Sequence, residues 1–76
     1  MTRELLEYIA GSLVDYPDEM RLTESEEEGL TVYQLHVAPR DIGKVIGRRG
    51  RVARAMRTLL KVSSIHNNRR AVLEID

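Results

Sequence analysis

With 76 residues, the chain has room for one domain (1–76) with a single modest core, close to the size at which folding alone becomes marginal. It contains no Cys, which excludes a disulfide framework or a Cys-based metal site and fits a reducing, cytoplasmic setting. Formal charge is zero, yet residues 1–38 hold two basic against nine acidic side chains and residues 39–76 ten against three, so the halves stand at −7 and +7. Local field, not total charge, attracts a polyanion, and the basic half is where one would be drawn.

Nothing near Met1 reads as a signal peptide, because Glu4 and Glu7 interrupt the apolar residues. No run approaches the roughly 18 apolar residues of a membrane span, so no membrane role is expected. Thr2 is a candidate N-cap, and Leu5, Leu6, Ile9, Ala10, Leu13 and Val14 recur at the spacing of one helical face. This predicts an amphipathic helix of about three turns, stopped at Tyr16-Pro17-Asp18 because Pro disfavours α geometry in the residue before it. A short strand over Met20 to Thr23 or a little beyond follows, with Met20 and Leu22 on one side. Glu26-Glu27-Glu28-Gly29 is then expected as a hairpin connection.

Leu30 to Val37 alternates, with Tyr33, Leu35 and Val37 facing the core and Val32, Gln34 and His36 opposite. Ala38-Pro39-Arg40-Asp41 marks a helix start, with Pro at the first helical position and Asp near the positive dipole end. Ile42, Val45 and Ile46 face inward, and the helix ends at Gly47. A further helix spans about Arg51 to Ile65. Val52, Met56, Leu59, Leu60 and Ser63 gather on one face, and Arg51, Arg54, Arg57 and Lys61 on the other. His66-Asn67-Asn68 is a turn, and Arg69 to Asp76 is a closing strand with Ala71, Leu73 and Ile75 alternating against Val72 and Glu74. The order α-β-β-α-α-β makes this an α+β, two-layer fold. The last strand runs parallel to its predecessor, the first strand joins by its hairpin, and three helices cover one face of a three-stranded mixed sheet.

Between the last two helices lies Gly47-Arg48-Arg49-Gly50. Gly accepts positive φ and has no Cβ, so a Gly-x-x-Gly turn admits another backbone to contact distance. Two central cations make the expected visitor anionic. Free N–H groups near Gly50 and Arg51, at the start of a helix, are expected to meet a phosphate with the dipole in their favour.

Val45-Ile46-Gly47-Arg48-Arg49-Gly50 with Met56 beyond it resembles the signature of the KH domain, a single-stranded nucleic-acid binding module. The leading helix and strand are similar to the type II arrangement. Leu13-Val14-Asp15 before Pro17-Asp18-Glu19, Val37-Ala38-Pro39 and Gly43 to Gly47 resemble the small stand-alone bacterial KH proteins of the KhpA family over nearly the full length. The resemblance implies a clamp on about four nucleotides of single-stranded RNA through their backbone, with bases in an adjoining groove. The candidate RNA-binding residues are Ile42, Gly43, Lys44, Ile46, Gly47, Arg48, Arg49, Gly50, Arg51 and Arg54. Ile42, Val45, Ile46 and Ala53 are expected at the groove floor. The resemblance also implies a post-transcriptional regulator or RNA chaperone, and a homodimer or a heterodimer with a larger KH-domain protein in control of cell elongation and division. Val62 and Ile65, outside the main apolar stripe of the last helix, support association independently.

Of the remaining signals, the stripe Arg51, Arg54, Arg57, Lys61 reads equally as solvated surface or phosphate contact, with Arg51 and Arg54 favoured by their nearness to the turn. Arg69 and Arg70 fit either the groove or a charged turn. Tyr8, Tyr16 and Tyr33 are expected far from the turn, which predicts backbone-driven binding with limited base preference. His36 and His66 lack partners at ligand spacing, and Asp15 and Asp18 suit turn geometry, so no metal, cofactor or catalytic constellation is expected. The glycine spacing is neither a dinucleotide fingerprint nor a Walker loop.

Overall fold

The computed structural model describes residues 2–76, without the side chain of Asn67. Helix α1 (Thr2–Leu13) buries Leu6 and Ala10, and an Arg3–Glu7 pair at 2.8 Å spans one turn of it, with Arg3 also donating across to the Leu22 carbonyl. The Thr2 hydroxyl is hydrogen-bonded across to Ser63. After a 3₁₀ turn over Pro17–Glu19 come strands β1 (Arg21–Glu27) and β2 (Leu30–His36). A second 3₁₀ turn, Pro39–Asp41, leads into α2 (Ile42–Ile46). A third, Arg48–Gly50, leads into α3 (Arg51–Asn67), and β3 (Arg70–Ile75) follows.

The sheet order is β1-β2-β3. β1 pairs antiparallel with β2, Leu22 opposite Leu35, and β3 pairs parallel with β2, Leu73 opposite Tyr33. Leu22, Tyr33, Leu35 and Leu73 share the covered face and meet Leu6, Ala10, Val45, Met56 and Leu60 from the helices. This is the expected α+β fold with three helices on one face of a three-stranded mixed sheet. Leu35, Met56 and Leu60 are each 1% exposed. Truncating one of them to Ala is worth about 2–5 kcal/mol, a large share of a small domain's stability.

The structure corrects the expected outline in four places. β1 reaches Glu27, and the connection is the two-residue Glu28-Gly29, with φ of 51° and 81°. Both residues in the left-handed region give the turn that matches strand twist, so the acidic side chains of Glu26 and Glu27 ride on paired backbone. α3 continues to Asn67, and Asn68 at φ 55° ends it, so the connection to β3 shrinks to Asn68 and Arg69. Leu59 is 40% exposed while Ala53 is 4%: α3 is rolled so that Ala53, Met56 and Leu60 seat on the sheet. Leu5 and Leu13 of α1 are exposed too, leaving a narrower buried stripe than the apolar pattern implies.

Candidate nucleic-acid interface

α2 has five residues and ends at Gly47, whose φ of 80° and ψ of 170° belong to glycine. A Cβ there would lie 2.5 Å from Val52 Cγ2 and 2.9 Å from the Val52 nitrogen, so space as well as conformation demands Gly. The Gly50 N–H donates to the Gly47 carbonyl at 3.0 Å, and the Arg51 N–H donates to that of Arg48. The two amides expected to meet a phosphate are therefore spent closing the turn. Arg49 at φ 57° and Gly50 at φ 72° complete it. Arg48 and Arg49 are both exposed. Arg54 Nη2 donates to the Arg49 carbonyl at 2.7 Å, lashing the first turns of α3 to the turn before them. The N-cap residue of α3 is Gly50, which has no side chain to cap the helix, so the positive end of this long helix is presented at the turn.

Beside α3 a groove of about 470 Å³ runs along β3, lined by Arg57, Lys61, Ser64, Arg70, Val72 and Leu73 among others. Asp76 gives its N–H to Leu35 and accepts that of Val37, at 2.9 and 3.1 Å. By alternation Leu73 turns its main-chain groups to the open edge of the sheet. There its carbonyl accepts from Arg57 Nε and Nη2, each at 3.3 Å. Of the residues expected at a groove floor, Val45 and Ala53 lie in the core at 0% and 4% exposure and Ile42 and Ile46 are half-buried; the apolar lining of the groove beside β3 includes Leu60, Val72 and Leu73. Sequence reading missed Arg57, Lys61, Arg70, Val72 and Leu73 as one surface. The available signal was that the last strand is an edge strand facing the helix with the cationic stripe.

The other candidates are placed as follows. Gly43 is exposed and a Cβ would meet nothing. Lys44 is hydrogen-bonded to the Asp15 carboxylate and its ammonium is 3.9 Å from Asp41. The hydrogen bond that the Lys44 ammonium donates to Asp15 holds it above its usual pKa. Asp41 is wholly buried, its two oxygens accepting the N–H groups of Asp15 and Tyr16 at 3.0 Å each. Tyr16 is thereby tied to the residue that opens α2, and its hydroxyl accepts from Arg40 at 3.0 Å. Tyr8 lines an apolar groove of about 500 Å³ between α1 and α3 together with Arg51, Val52 and Ala55. Tyr8 is thus nearer the start of α3 than expected, Tyr16 lies at the N-terminal end of α2, away from the turn, and Tyr33 is buried. Arg69 pairs with Glu26 at 3.0 Å. Among the described residues no cluster of His and carboxylates suits a metal ion, and no helix is long and apolar enough to cross a membrane.

A family model described as KhpA/KhpB, KH domain, matches residues 3–75. The RNA-binding protein KhpA of Treponema pallidum is 53% identical over 75 residues, covering 99% of this chain and 94% of that protein. The RNA-binding protein KhpA of Clostridium acetobutylicum is 49% identical over 73 residues, covering 96% and 97%. A crystal structure of Era from Aquifex aeolicus is similar in fold, with a TM-score of 0.61 at 15% identity over 97% of this chain and 29% of the Era chain.

Proposed function

We propose that this chain, which belongs to the KhpA/KhpB family of KH domains, holds about four nucleotides of single-stranded RNA against the Gly47–Gly50 turn. The observation that carries the reading is the turn itself. Gly47, Arg49 and Gly50 take positive φ, so Arg48 and Arg49 project from a tight bend at the uncapped positive end of α3. In this reading Arg48, Arg49 and Arg51 meet phosphates and Arg54 braces the turn. Gly43 admits close approach on the α2 side, with Ile42 and Ile46 beside it. The bases extend along the groove of α3 and β3, whose apolar floor and cationic rim suit a stacked strand. The relatives bear the name RNA-binding protein, and the role is binding, as a post-transcriptional regulator or RNA chaperone in the cytoplasm, not catalysis.

The deciding experiment is crosslinking to cellular RNA with Arg48→Asp/Arg49→Asp. Nearly complete loss with an unchanged circular dichroism spectrum is expected; retained crosslinking overturns the assignment.

A second reading, compatible with the first, is a dimerising module, as a homodimer or with a larger KH-domain protein acting in cell elongation and division. It is favoured by the outward side chains of α1 and α3: Tyr8 and Ile65 are 74% and 75% exposed and Val62 50%, more apolar exposure than a solvated face needs. Sedimentation at low micromolar concentration should show a dimer that Val62→Asp converts to monomer. A monomer for both proteins rejects this reading.

A further inference from the structure

α2 is too short to hold its own direction, because a helix of five residues falls well below the length at which helical propensity sustains itself. Its bearing is set by what its two ends touch. At the C-terminal end Gly47 lies against Val52. At the N-terminal end stands Asp41, with 0% exposure. Burying a carboxylate in so small a protein is costly unless every oxygen is satisfied. Here Oδ1 accepts the Asp15 N–H and Oδ2 the Tyr16 N–H, both at 3.0 Å. These donors belong to the segment after α1, so one side chain fastens the start of α2 to a distant part of the chain. Lys44, one turn further along α2, reaches back to the Asp15 carboxylate and to Asp41.

From this geometry we infer that Asp41, with Asp15 and Lys44, is a positioning clamp that sets α2, and through it the Gly47–Gly50 turn, in the attitude that accepts RNA. Lys44 belongs to this clamp and not to the phosphate contacts. The inference rests on the RNA-binding reading above. Asp41→Asn replaces one acceptor by an amide NH₂ facing a main-chain N–H, so one of the two fastenings becomes a donor-donor opposition. α2 then loses its fixed bearing while the core beneath stays packed. Sites held loosely by their supports lose function before they lose fold.

The test is a titration of a short fluorescein-labelled single-stranded RNA of mixed sequence, at several salt concentrations and well below the melting temperature. The proteins are the wild type, Asp41→Asn, Lys44→Met, Asp15→Asn and Arg48→Asp/Arg49→Asp. A lost phosphate contact lowers the slope of log K against log salt by about 0.7 on a single strand, so a removed cation and a misplaced turn both weaken binding, and removing the anionic partner of Lys44 tells them apart. The expected result for Asp41→Asn is native circular dichroism, affinity weaker by about tenfold, and displaced amide resonances at Gly47, Arg49 and Gly50. A folded Asp41→Asn that binds like the wild type overturns the clamp. If Asp41→Asn does not fold, Lys44→Met and Asp15→Asn decide in the same titration: affinity weaker by about threefold in both supports the clamp, whereas wild-type affinity in both, or weakening in Lys44→Met alone as a direct phosphate contact would give, overturns it. If the double arginine variant binds like the wild type, the RNA-binding reading of the turn fails, separately from the clamp.

Discussion

Gly47 and Gly50 bracket the same turn under different constraints. At Gly47 a methyl group would meet both the side chain and the backbone nitrogen of Val52. Gly47→Ala therefore combines backbone strain with overlap and should destabilise the fold by about 2–4 kcal/mol in urea unfolding. At Gly50 the nearest atom to an added Cβ is the Arg54 terminal nitrogen at 3.8 Å. Gly50→Ala should cost only about 1–2 kcal/mol, the strain of the left-handed region. Equal losses would mean that contact with Val52 is not what fixes Gly47. Tyr33 shows the same dependence on surroundings. Burial, then the charge of Glu24, holds its hydroxyl above the usual pKa of 10.0. The unfolded chain releases that proton first, so this contribution is complete below about pH 10 and is lost as pH rises past it. Lys44, raised by Asp15, moves stability in the same direction. Thermal melts from about pH 9 to about pH 11 should show a decline that is shallower in Tyr33→Phe.

Among the elements, the β1–β2 hairpin carries a local conflict. Glu28 holds φ of 51° although a long side chain gains nothing from the left-handed region, where Asn is the favoured residue. Glu28→Asn should raise stability by about 0.5–1 kcal/mol, read from the urea midpoint; no gain would indicate that the turn relaxes at no cost. This hairpin also shows how far sequence reaches. β2 and β3 were legible because Tyr33, Leu35, Leu73 and Ile75 alternate, and α2 because Pro39 and Gly47 punctuate it. The length of β1 was not, since Glu24, Glu26 and Glu27 carry no apolar signal and only pairing to β2 keeps them extended. The roll of α3 was misjudged at Leu59 because Ala53, small and unremarkable in the pattern, takes the seat against the sheet. Asp41 was read as a dipole partner. Its true partners are main-chain N–H groups at Asp15 and Tyr16, which leave no trace in side-chain spacing. The turn was visible from its glycines, but the companion groove was not, because it exists only once α3 lies along the open edge of β3.

At the scale of the whole molecule, a body of 34 × 22 × 18 Å, charge is divided unevenly between elements. The hairpin carries Glu24, Glu26, Glu27 and Glu28, and the Gly47–Gly50 turn opens α3 with its basic stripe. Affinity for single-stranded RNA should fall steeply with salt. If Arg48, Arg49 and Arg51 each meet a phosphate, log K should fall by about 2 per tenfold rise in salt, and Arg51→Ala should lessen that slope by about 0.7. A slope near zero would mean that phosphates are not the principal contacts.

The parallel pairing of β2 with β3 has a kinetic consequence. Leu30 pairs with Arg70 and Leu35 with Ile75, so the sheet cannot close until the intervening crossover, α2, turn and α3, has folded back on itself. Such distant closure is the slow part of assembling a mixed sheet. The Gly47–Gly50 bend is the hinge of that crossover. A strand of RNA gripping both sides of it would act as a staple on the step that closes last and, on the same path reversed, opens first. At an RNA concentration a hundred times the Kd, mass action adds about 2.7 kcal/mol to the folded state. The nucleic acid would then be part of what keeps so small a chain folded.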